Sequence, residues 1–352
     1  MSAGAPPVPA LVCALVAKRA SRIPVELARG LATPASFPSV EPSASFVVTG
    51  IGASEGPARY LAMLLQLAGR RAVYTPLSTF LVADAAALGD TLVVFSQGLS
   101  PNARLALRRA AEHRRAILFT SAAKKGDEGD APEIRAFLSG FRGAGGDIVV
   151  MPPDDEPGTF VRVLGPAVAR LVAARFVATL SPIIDSAALA RVPTLAAEAA
   201  ARVEAALASA PPDAPRRRLG FVVAGPWLEG ASGLRSTWLE GLGAPEPPLW
   251  DVLQLAHGPF HQFFDEEMTL VTLEHEGAPQ ERELFDRLAS MLVPPRHALV
   301  RLRSRLPPPL GALEHDALSA ALLVRAFGEG SKDIAATGGL GPDALLYGLG
   351  RG

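Results

Sequence analysis

Two stretches of the chain share one order of apolar run, glycine-bearing turn and helix-period segment. Residues 45–69 read SFVVTGIGASEGPARYLAMLLQLAG, and residues 220–244 read GFVVAGPWLEGASGLRSTWLEGLGA. This order predicts strand, loop and helix, the opening of a nucleotide- or phosphate-binding α/β unit. An offset of 175 positions (221 minus 46) indicates an internal duplication, because it superposes Phe46 on Phe221, Val47 on Val222, Val48 on Val223, Gly50 on Gly225, Leu64 on Leu239 and Leu67 on Leu242.

Further apolar runs alternate with helix-period segments along the whole chain. Alternation of this kind predicts α/β architecture with mostly parallel sheets covered on both faces. We expect two flavodoxin-like three-layer α/β/α domains. The predicted strands of the first unit are Ser45–Thr49, Ala72–Tyr74, Thr91–Phe95, Ala116–Thr120 and Asp147–Met151, with helices at Glu55–Leu67, Ala103–His113 and about 160–180. The second unit is predicted to have strands near 221–224, 268–274 and 297–303, and helices near 231–241, 279–292 and 315–327.

The predicted domain division follows from these elements and from proline-rich breaks. Residues 1–44 form a lead-in, with one helix over about 8–31 that is interrupted near Pro24. The first domain covers 45–182. A helical linker covers 183–218 and is predicted to contain one helix at about 195–208. The second domain with a tail covers 219–352.

Composition narrows the class of protein. The chain has 352 residues, enough for two domains with their own cores. With 34 basic and 35 acidic residues, it shows no excess of positive charge that would favour a nucleic-acid partner. The single Cys13 excludes an intrachain disulfide and a multi-cysteine metal site, and we interpret it as a small buried hydrophobe.

The N-terminal apolar segment PALVCALVA is too short to span a bilayer. Its basic residues, Lys18 and Arg19, follow the apolar run, which is not the order of a signal peptide. We therefore expect a cytoplasmic protein without a membrane partner.

Two loops carry candidate anion-binding groups. The first, GIGAS, places Ser54 between a strand and a helix N-terminus, where backbone N–H groups hold anions. It is not a GxGxxG motif and no acidic ribose partner follows, so NAD is not expected. The second, SQGLSPN, lacks the lysine of a Walker motif but offers short hydrogen-bonding groups suited to a phosphate monoester: Ser96, Gln97, Ser100 and Asn102. The alternative is an ordinary N-cap by Ser100, with Pro101 at the first helical position.

GIGAS, SQGLSPN, the duplication and the later LAHGP (255–259) together resemble the sugar isomerase (SIS) domain family. The pattern is closest to double-SIS proteins, which include phosphosugar isomerases, deglycases and the isomerase half of glucosamine-6-phosphate synthase. The resemblance covers about residues 30–300. It implies that Ser54 and the serine loop, Ser96–Asn102, hold a sugar phosphate. It also implies a homodimer that needs no metal or redox cofactor.

The same resemblance implies two catalytic residues. Glu240, in WLEG, would move the proton between sugar carbons, and His257, in HGP, would assist ring opening, often in the neighbouring subunit. The alternatives are a solvated helix-end glutamate and a structural histidine, with Glu229 a second candidate base. His261 and His275 match no motif and are interpreted as surface or core residues.

Departures from the family pattern keep three hypotheses open. Gly98–Leu99 replaces a serine–glycine pair, and the stretch PGTFVRVLG offers only Thr159 and Arg162 where the family has serine, threonine and lysine. No lysine follows Lys332, so amination through a Schiff base is not expected. The hypotheses are a phosphosugar isomerase or amino-sugar-phosphate deaminase, a sugar-phosphate-binding protein with reduced catalysis, and a structural duplicate that binds another ligand.

Overall fold

The described part of the chain forms nine strands and fourteen α-helices in a computed structural model. The structure describes residues 8–124, 131–152, 156, 161–328, 331 and 344–350. The strands are β1 (Phe46–Gly50), β2 (Ala72–Tyr74), β3 (Thr91–Phe95), β4 (Arg115–Thr120), β5 (Asp147–Val150), β6 (Arg218–Val223), β7 (Leu249–Asp251), β8 (Met268–His275) and β9 (His297–Ser304). The helices are α1 (Val8–Ala32), α2 (Glu55–Leu67), α3 (Thr79–Val82), α4 (Pro101–Arg108), α5 (Ala131–Gly143), α6 (Leu164–Ala178), α7 (Ser186–Ala197), α8 (Ala199–Leu207), α9 (Trp227–Leu242), α10 (Val252–Ala256), α11 (Pro259–Phe263), α12 (Pro279–Met291), α13 (Gly311–Ala326) and α14 (Ala344–Tyr347).

The first compact unit comprises the described residues of 26–156, 165–186 and 336–352. Its five strands are all parallel, in the order β2-β1-β3-β4-β5, which is the flavodoxin-like order. One face of the sheet packs on α4 and α5 through a buried aliphatic cluster that includes Leu92, Leu107 and Leu138. On the other face, Phe119 of β4 contacts Phe176 of α6 with ring centroids 5.7 Å apart. The unit therefore has three layers.

The second unit comprises the described residues of 1–25, 157–164 and 187–335. Its four parallel strands follow the order β7-β6-β8-β9. One face packs on α10, α11 and α12, where Leu255 and Phe285 are fully buried. On the other face, Phe221 of β6 contacts Trp238 of α9 at 5.7 Å.

The second sheet ends at β9, where the first sheet continues to a fifth strand. The carbonyl of Arg296, just before β9, accepts a hydrogen bond from Met268 of β8 at 3.1 Å. Because strand residues alternate in direction, the carbonyl of Arg303 points outward instead. It accepts a hydrogen bond from the guanidinium of Arg202 on α8.

The predicted fold class is confirmed, since both sheets are parallel and both are covered by helices. Three local predictions were wrong. The lead-in helix is continuous through Pro24, whose ring removes one backbone donor without ending α1. The linker helix predicted at about 195–208 is two helices, α7 and α8, which begin at Ser186. Several elements were not predicted, namely α3, α5 and α14 in the first unit and β7, α10 and α11 in the second.

Both sheets begin with the same order, a short edge strand beside the first strand of the unit and then the next strands in sequence. This shared order is what a duplication would produce, and the duplication stays a prediction. The predicted domain boundaries also stay predictions. Within the second unit, Arg202 of α8 forms an ion pair with Glu314 of α13, so α8 packs as part of that unit.

Candidate functional site

The carboxyl ends of the first sheet's strands carry a set of small polar residues. Because the strands are parallel, the loops after β1, β3, β4 and β5 all leave the sheet at one edge. The residues after these strands include Ser54, the serine loop, Ser121 and Glu156. Ligands of open α/β sheets bind at such an edge.

The serine loop is a tight bend, and a hydrogen bond to the hydroxyl of its first residue, Ser96, closes it. Ser96 continues the ladder, its N–H donating to the carbonyl of Phe119 at 3.0 Å. Its hydroxyl accepts the N–H of Ser100 at 3.2 Å. Between them, Leu99 has a φ of 54°, the left-handed region that L side chains rarely occupy. Its side chain is held in the aliphatic cluster under α4, 1% exposed, which fixes this conformation.

The bend leaves backbone donors unused. The N–H groups of Gln97, Gly98 and Leu99 donate no hydrogen bond to any residue that the structure describes. Gly98 is exposed, so solvent and ligands reach this stretch of backbone. Successive N–H groups in a turn of this kind form an anion-binding concavity.

Gln97 adds a buried side-chain donor to the same place. The residue is 9% exposed, and its Nε2 has no hydrogen-bond partner among the described residues. A Cβ on Gly165, at the start of α6, would collide with this amide, so Gly165 is required for the side chain to lie there. The main-chain carbonyl of Gln97 accepts hydrogen bonds from Ser121 N–H and the Thr120 hydroxyl, both at 3.1 Å.

Ser54 lies after β1, in the 3₁₀ turn Gly52–Ser54 that leads into α2. It is 7% exposed, and its hydroxyl caps no backbone donor. A Cβ on Gly50 would collide with the Ser54 carbonyl, so this close turn requires glycine. Since β1 and β3 are neighbours, Ser54 and the serine loop leave the sheet side by side.

Ser100 and Asn102 begin α4. Ser100 occupies the N-cap position with Pro101 next, as the alternative interpretation expected, but its hydroxyl makes no capping hydrogen bond. Asn102 donates from Nδ2 to the carbonyl of Leu346 in the C-terminal segment at 2.9 Å. In this structure the Asn102 amide therefore binds the chain itself, while the Ser100 hydroxyl does not.

Sequence reasoning missed two polar residues at this edge. Ser121 is 7% exposed and donates to the carbonyl of Pro152 at 2.9 Å. Glu156 is 1% exposed, and its carboxylate accepts the N–H of Gly165 at 3.0 Å. Ser121 directly follows a predicted strand, and that signal could have found it. Glu156 comes five residues after the predicted strand that ends at Met151, so no comparable signal marks it. Thr159, in the stretch PGTFVRVLG, lies outside the described residues. Lys332, the last lysine of the chain, also lies outside them.

The two predicted catalytic residues lie in the second unit and at opposite edges of its sheet. Glu240 is in the last turn of α9, which runs back from the carboxyl end of β6. A cavity of about 510 Å³ near this turn is lined by Trp238 and Leu242 together with Arg218 at the start of β6, which places Glu240 at the amino edge. Glu229 is in the first turn of α9, at the carboxyl edge.

His257 follows α10, which begins where β7 ends, so it lies on the carboxyl side of the second sheet. It is exposed, and its N–H donates to the carbonyl of Gln254 at 3.0 Å. Gly258 follows with a φ of 147°, which turns the chain into α11. The structure thus brings the serine-loop residues and Ser54 to one sheet edge, and it separates His257 from Glu240 within the second unit.

His275 and His315 have structural environments, and Cys13 is partly buried. His275 is 3% exposed, and its Nδ1 lies 3.0 Å from Glu281. His315 is buried beside it, and burial lowers its pKa to about 3, with the charge of His275 a further cause. Cys13, predicted to be buried, is only partly buried; this partial burial raises the pKa of its thiol, which disfavours the nucleophilic thiolate. His261 is exposed.

No set of three or more His, Cys, Asp or Glu side chains in the described residues is arranged to hold a metal ion. In the same part of the chain, no helix has the length and apolar content needed to cross a membrane.

Comparison with known proteins places the fold. No protein-family model matches the sequence, and no curated protein sequence matches it. Solved structures do match over nearly the whole chain. A glucosamine-6-phosphate deaminase from Thermotoga maritima has a TM-score of 0.66 at 12% identity, covering 92% of this chain and 98% of its own. The tagatose-6-phosphate ketose/aldose isomerase of Escherichia coli has a TM-score of 0.65 at 14% identity, covering 89% and 92%.

A third structure is the C-terminal domain of a glucosamine-fructose-6-phosphate aminotransferase from Francisella tularensis. It has a TM-score of 0.61 at 11% identity, covering 90% of this chain and 97% of its own. At these identities the likeness concerns the fold alone. The fold is the one that the serine loop, the HGP motif and the paired α/β units predicted.

Proposed function

We propose that this chain, which has the fold of the phosphosugar isomerases and deaminases, binds a phosphorylated sugar or amino sugar. We further propose that it catalyses aldose–ketose isomerisation, or removal of the amino group, by carboxylate-mediated proton transfer. The observation that carries the proposal is the serine loop, where three consecutive backbone N–H groups without described acceptors lie beside the Gln97 amide donor. Phosphate oxygens accept several hydrogen bonds at once, so they match this set of donors.

In the proposed reaction, Glu240 takes a proton from one sugar carbon and returns it to the neighbouring carbon. A carboxylate alone suffices for this enediol chemistry. His257 assists ring opening, because an imidazole exchanges protons near neutral pH. The separation of these residues within the second unit supports the expectation that His257 serves a neighbouring subunit, so we propose a cytoplasmic homodimer.

A sugar-phosphate-binding protein with reduced catalysis is the second candidate. The Asn102 amide donates to the chain's own Leu346, and Gly98–Leu99 stands in place of a serine–glycine pair. Both are departures within the phosphate-binding loop, and together with the absence of a lysine after Lys332 they support this candidate.

The phosphate site is tested by thermal unfolding. The protein is unfolded in the presence of sugar phosphates, amino sugar phosphates and the corresponding free sugars. A ligand at 100 times its dissociation constant stabilises the folded state by about 2.7 kcal/mol. We expect stabilisation by at least one phosphosugar and none by its free sugar. Ser96→Ala combined with Ser100→Ala should reduce this stabilisation, whereas the exposed Ser290→Ala should not, since Ser290 lies on α12 of the second unit. Absence of a shift with every phosphosugar would refute the phosphate site.

Steady-state kinetics with the ligand found in that screen tests the catalytic assignment. We expect Glu240→Gln to lower kcat about 10²- to 10⁴-fold, the usual contribution of general acid–base catalysis, while phosphosugar binding persists. Glu283→Gln, an exposed glutamate on α12, is the matched control and should keep wild-type kcat. If Glu229→Gln abolishes turnover and Glu240→Gln does not, the base is Glu229. If neither variant changes kcat, the assignment of a glutamate on α9 is wrong.

A further inference from the structure

One carboxylate at the carboxyl edge of the second sheet joins two loops. Asp251 is the last residue of β7 and the N-cap of α10. Its Oδ1 accepts the N–H groups of Leu253 at 2.9 Å and of Gln254 at 3.2 Å. These are two of the donors that a helix start leaves without an intrahelical acceptor.

The other oxygen of Asp251 reaches across to the neighbouring strand's loop. Oδ2 accepts the N–H of Gly225 at 3.1 Å. Gly225 follows β6 with a φ of 62°, a conformation suited to glycine. Because β6 and β7 pair side by side, with Val223 opposite Asp251, this bond fixes the β6–α9 loop against the start of α10.

The helix held in this way is short and leads directly to His257. α10 has five residues, too few to be stable without tertiary contacts and capping. Val252 and Leu255 bury one side of it in the core of the second unit. The N–H of His257 then closes on Gln254, one of the residues that Asp251 caps. The place of the imidazole therefore depends on both the buried side of α10 and its cap.

We propose that Asp251 is the positioning residue for His257: it fixes α10 to the β6–α9 loop, and so fixes where the imidazole stands. The proposal rests on the proposed catalytic role of His257. A purely structural cap would stabilise the unit without affecting turnover, and this difference makes the two roles distinguishable.

Three substitutions of Asp251 separate its two contacts, the cap of α10 and the hydrogen bond from Gly225. Asp251→Ala removes the cap and the bridge to Gly225. Asp251→Asn keeps an oxygen that caps α10, but replaces the acceptor facing Gly225 with an amide donor. Asp251→Ser keeps capping ability alone and serves if the alanine variant fails to fold, because serine is a good N-cap. Asp213→Ala is the matched control, since Asp213 bonds Arg217 at the opposite edge of the same unit.

The first measurement uses the full chain without any ligand. Amide hydrogen exchange at Leu253 and Gln254 should become about five- to tenfold faster in Asp251→Ala, the effect expected for loss of one N-cap. The imidazole resonances of His257, assigned with His257→Gln, should shift in the alanine and asparagine variants and stay unchanged in Asp213→Ala. Unchanged exchange and unchanged His257 resonances in Asp251→Ala would overturn the proposal.

The second measurement is kinetic, with the phosphosugar found in the thermal screen. We expect Asp251→Ala to lower kcat more than tenfold with KM within about twofold, and Asp251→Asn to fall between it and wild type. The double variant Asp251→Ala with His257→Gln should be no slower than His257→Gln alone, because the two residues act as one unit. Wild-type kcat in Asp251→Ala, beside an impaired His257→Gln, would overturn the positioning role. If His257→Gln itself keeps wild-type kcat, the proposed catalytic role of His257 has failed, and the exchange and resonance data alone decide whether Asp251 fixes α10.

Discussion

Gln97 and Leu99 occupy states that proteins usually avoid. The side-chain Nε2 of Gln97 is buried and has no hydrogen-bond acceptor among the described residues, which lowers the stability of the fold by on the order of 1–3 kcal/mol. Leu99 holds a left-handed backbone, which for a residue other than glycine costs a similar amount. The surrounding core maintains both, through the burial of the Leu99 side chain and the missing side chain of Gly165. Unfavourable states of this kind gather at binding sites.

Gly165→Ala tests whether the position of the Gln97 amide depends on the absence of a side chain at residue 165. The added methyl would collide with the Gln97 amide and push it from its place. Because the atoms that the methyl meets are the far end of a flexible side chain, we expect the free energy of unfolding to change by less than about 1 kcal/mol, and stabilisation by phosphosugars to weaken. Chemical denaturation and the thermal screen measure the two effects.

Gly140→Ala is the control for this substitution. Gly140 lies within α5, and a Cβ there meets no atom within 4 Å. Alanine in an open helix position should raise the free energy of unfolding by about 0.5–1 kcal/mol and leave ligand stabilisation unchanged. If Gly165→Ala behaves like Gly140→Ala, the Gln97 side chain does not need the space that glycine leaves.

At the scale of elements, α13 carries a histidine that titrates far from its usual range. His315 donates from Nε2 to the carbonyl of Glu274 at 3.1 Å, and burial lowers its pKa from 6.5 to about 3. Between these values the unfolded imidazole binds a proton and the folded one does not. Protons therefore favour unfolding in this window, and the contribution is complete above pH 6.5.

We expect the free energy of unfolding to fall as pH is lowered from about 6.5, with His315 supplying up to about 1.4 kcal/mol per pH unit. His315→Gln should make this dependence shallower by up to that amount. Urea denaturation measures how the free energy of unfolding changes with pH. The pH values should run from about 4 to about 7.5, which covers most of the range between the two pKa values of His315. His261→Gln, at an exposed position, should keep the wild-type slope, and an identical slope in His315→Gln would contradict the low pKa of His315.

The elements themselves were partly predictable from sequence. Strands such as Thr91–Phe95 were predicted to the residue, because a buried parallel strand is a continuous apolar run. β7 was not, because its three residues, LWD, follow prolines and are too few to show a period. α1 passes through Pro24, where tertiary packing overrides the local signal for a break.

The sequence was enough to predict which loop forms the candidate site, but not which residues from other elements lie beside it. Ser96 to Asn102 are adjacent in the sequence, so their chemistry could be recognised there. Glu156 and Gly165 join Gln97 only through the topology of the sheet and the start of α6. The positive φ of Leu99 and the contact of Asn102 with Leu346 likewise depend on packing that sequence patterns do not encode.

For the whole molecule, the proposed dimer makes a prediction about mixed subunits. If His257 serves the neighbouring subunit, a dimer of one Glu240→Gln chain and one His257→Gln chain contains one intact site. Refolding the two inactive variants together should restore about a quarter of wild-type activity, since half of randomly paired dimers are mixed and each has one working site of two. Activity of the mixture is measured against each variant alone, with molecular mass determined by light scattering. No recovery in a mixture that is dimeric would place both residues in the same subunit's site.

The second sheet's end at β9 has a consequence for how the protein behaves when concentrated. An eight-residue strand at a sheet edge offers unpaired backbone groups on which strands of other molecules can assemble into fibrils. Here the guanidinium of Arg202 donates a hydrogen bond to the outward carbonyl of Arg303, so that backbone acceptor is already occupied. Bulky charged groups at such an edge oppose strand addition. We therefore expect the Arg202 side chain to hinder strand addition at β9, an effect independent of any ligand.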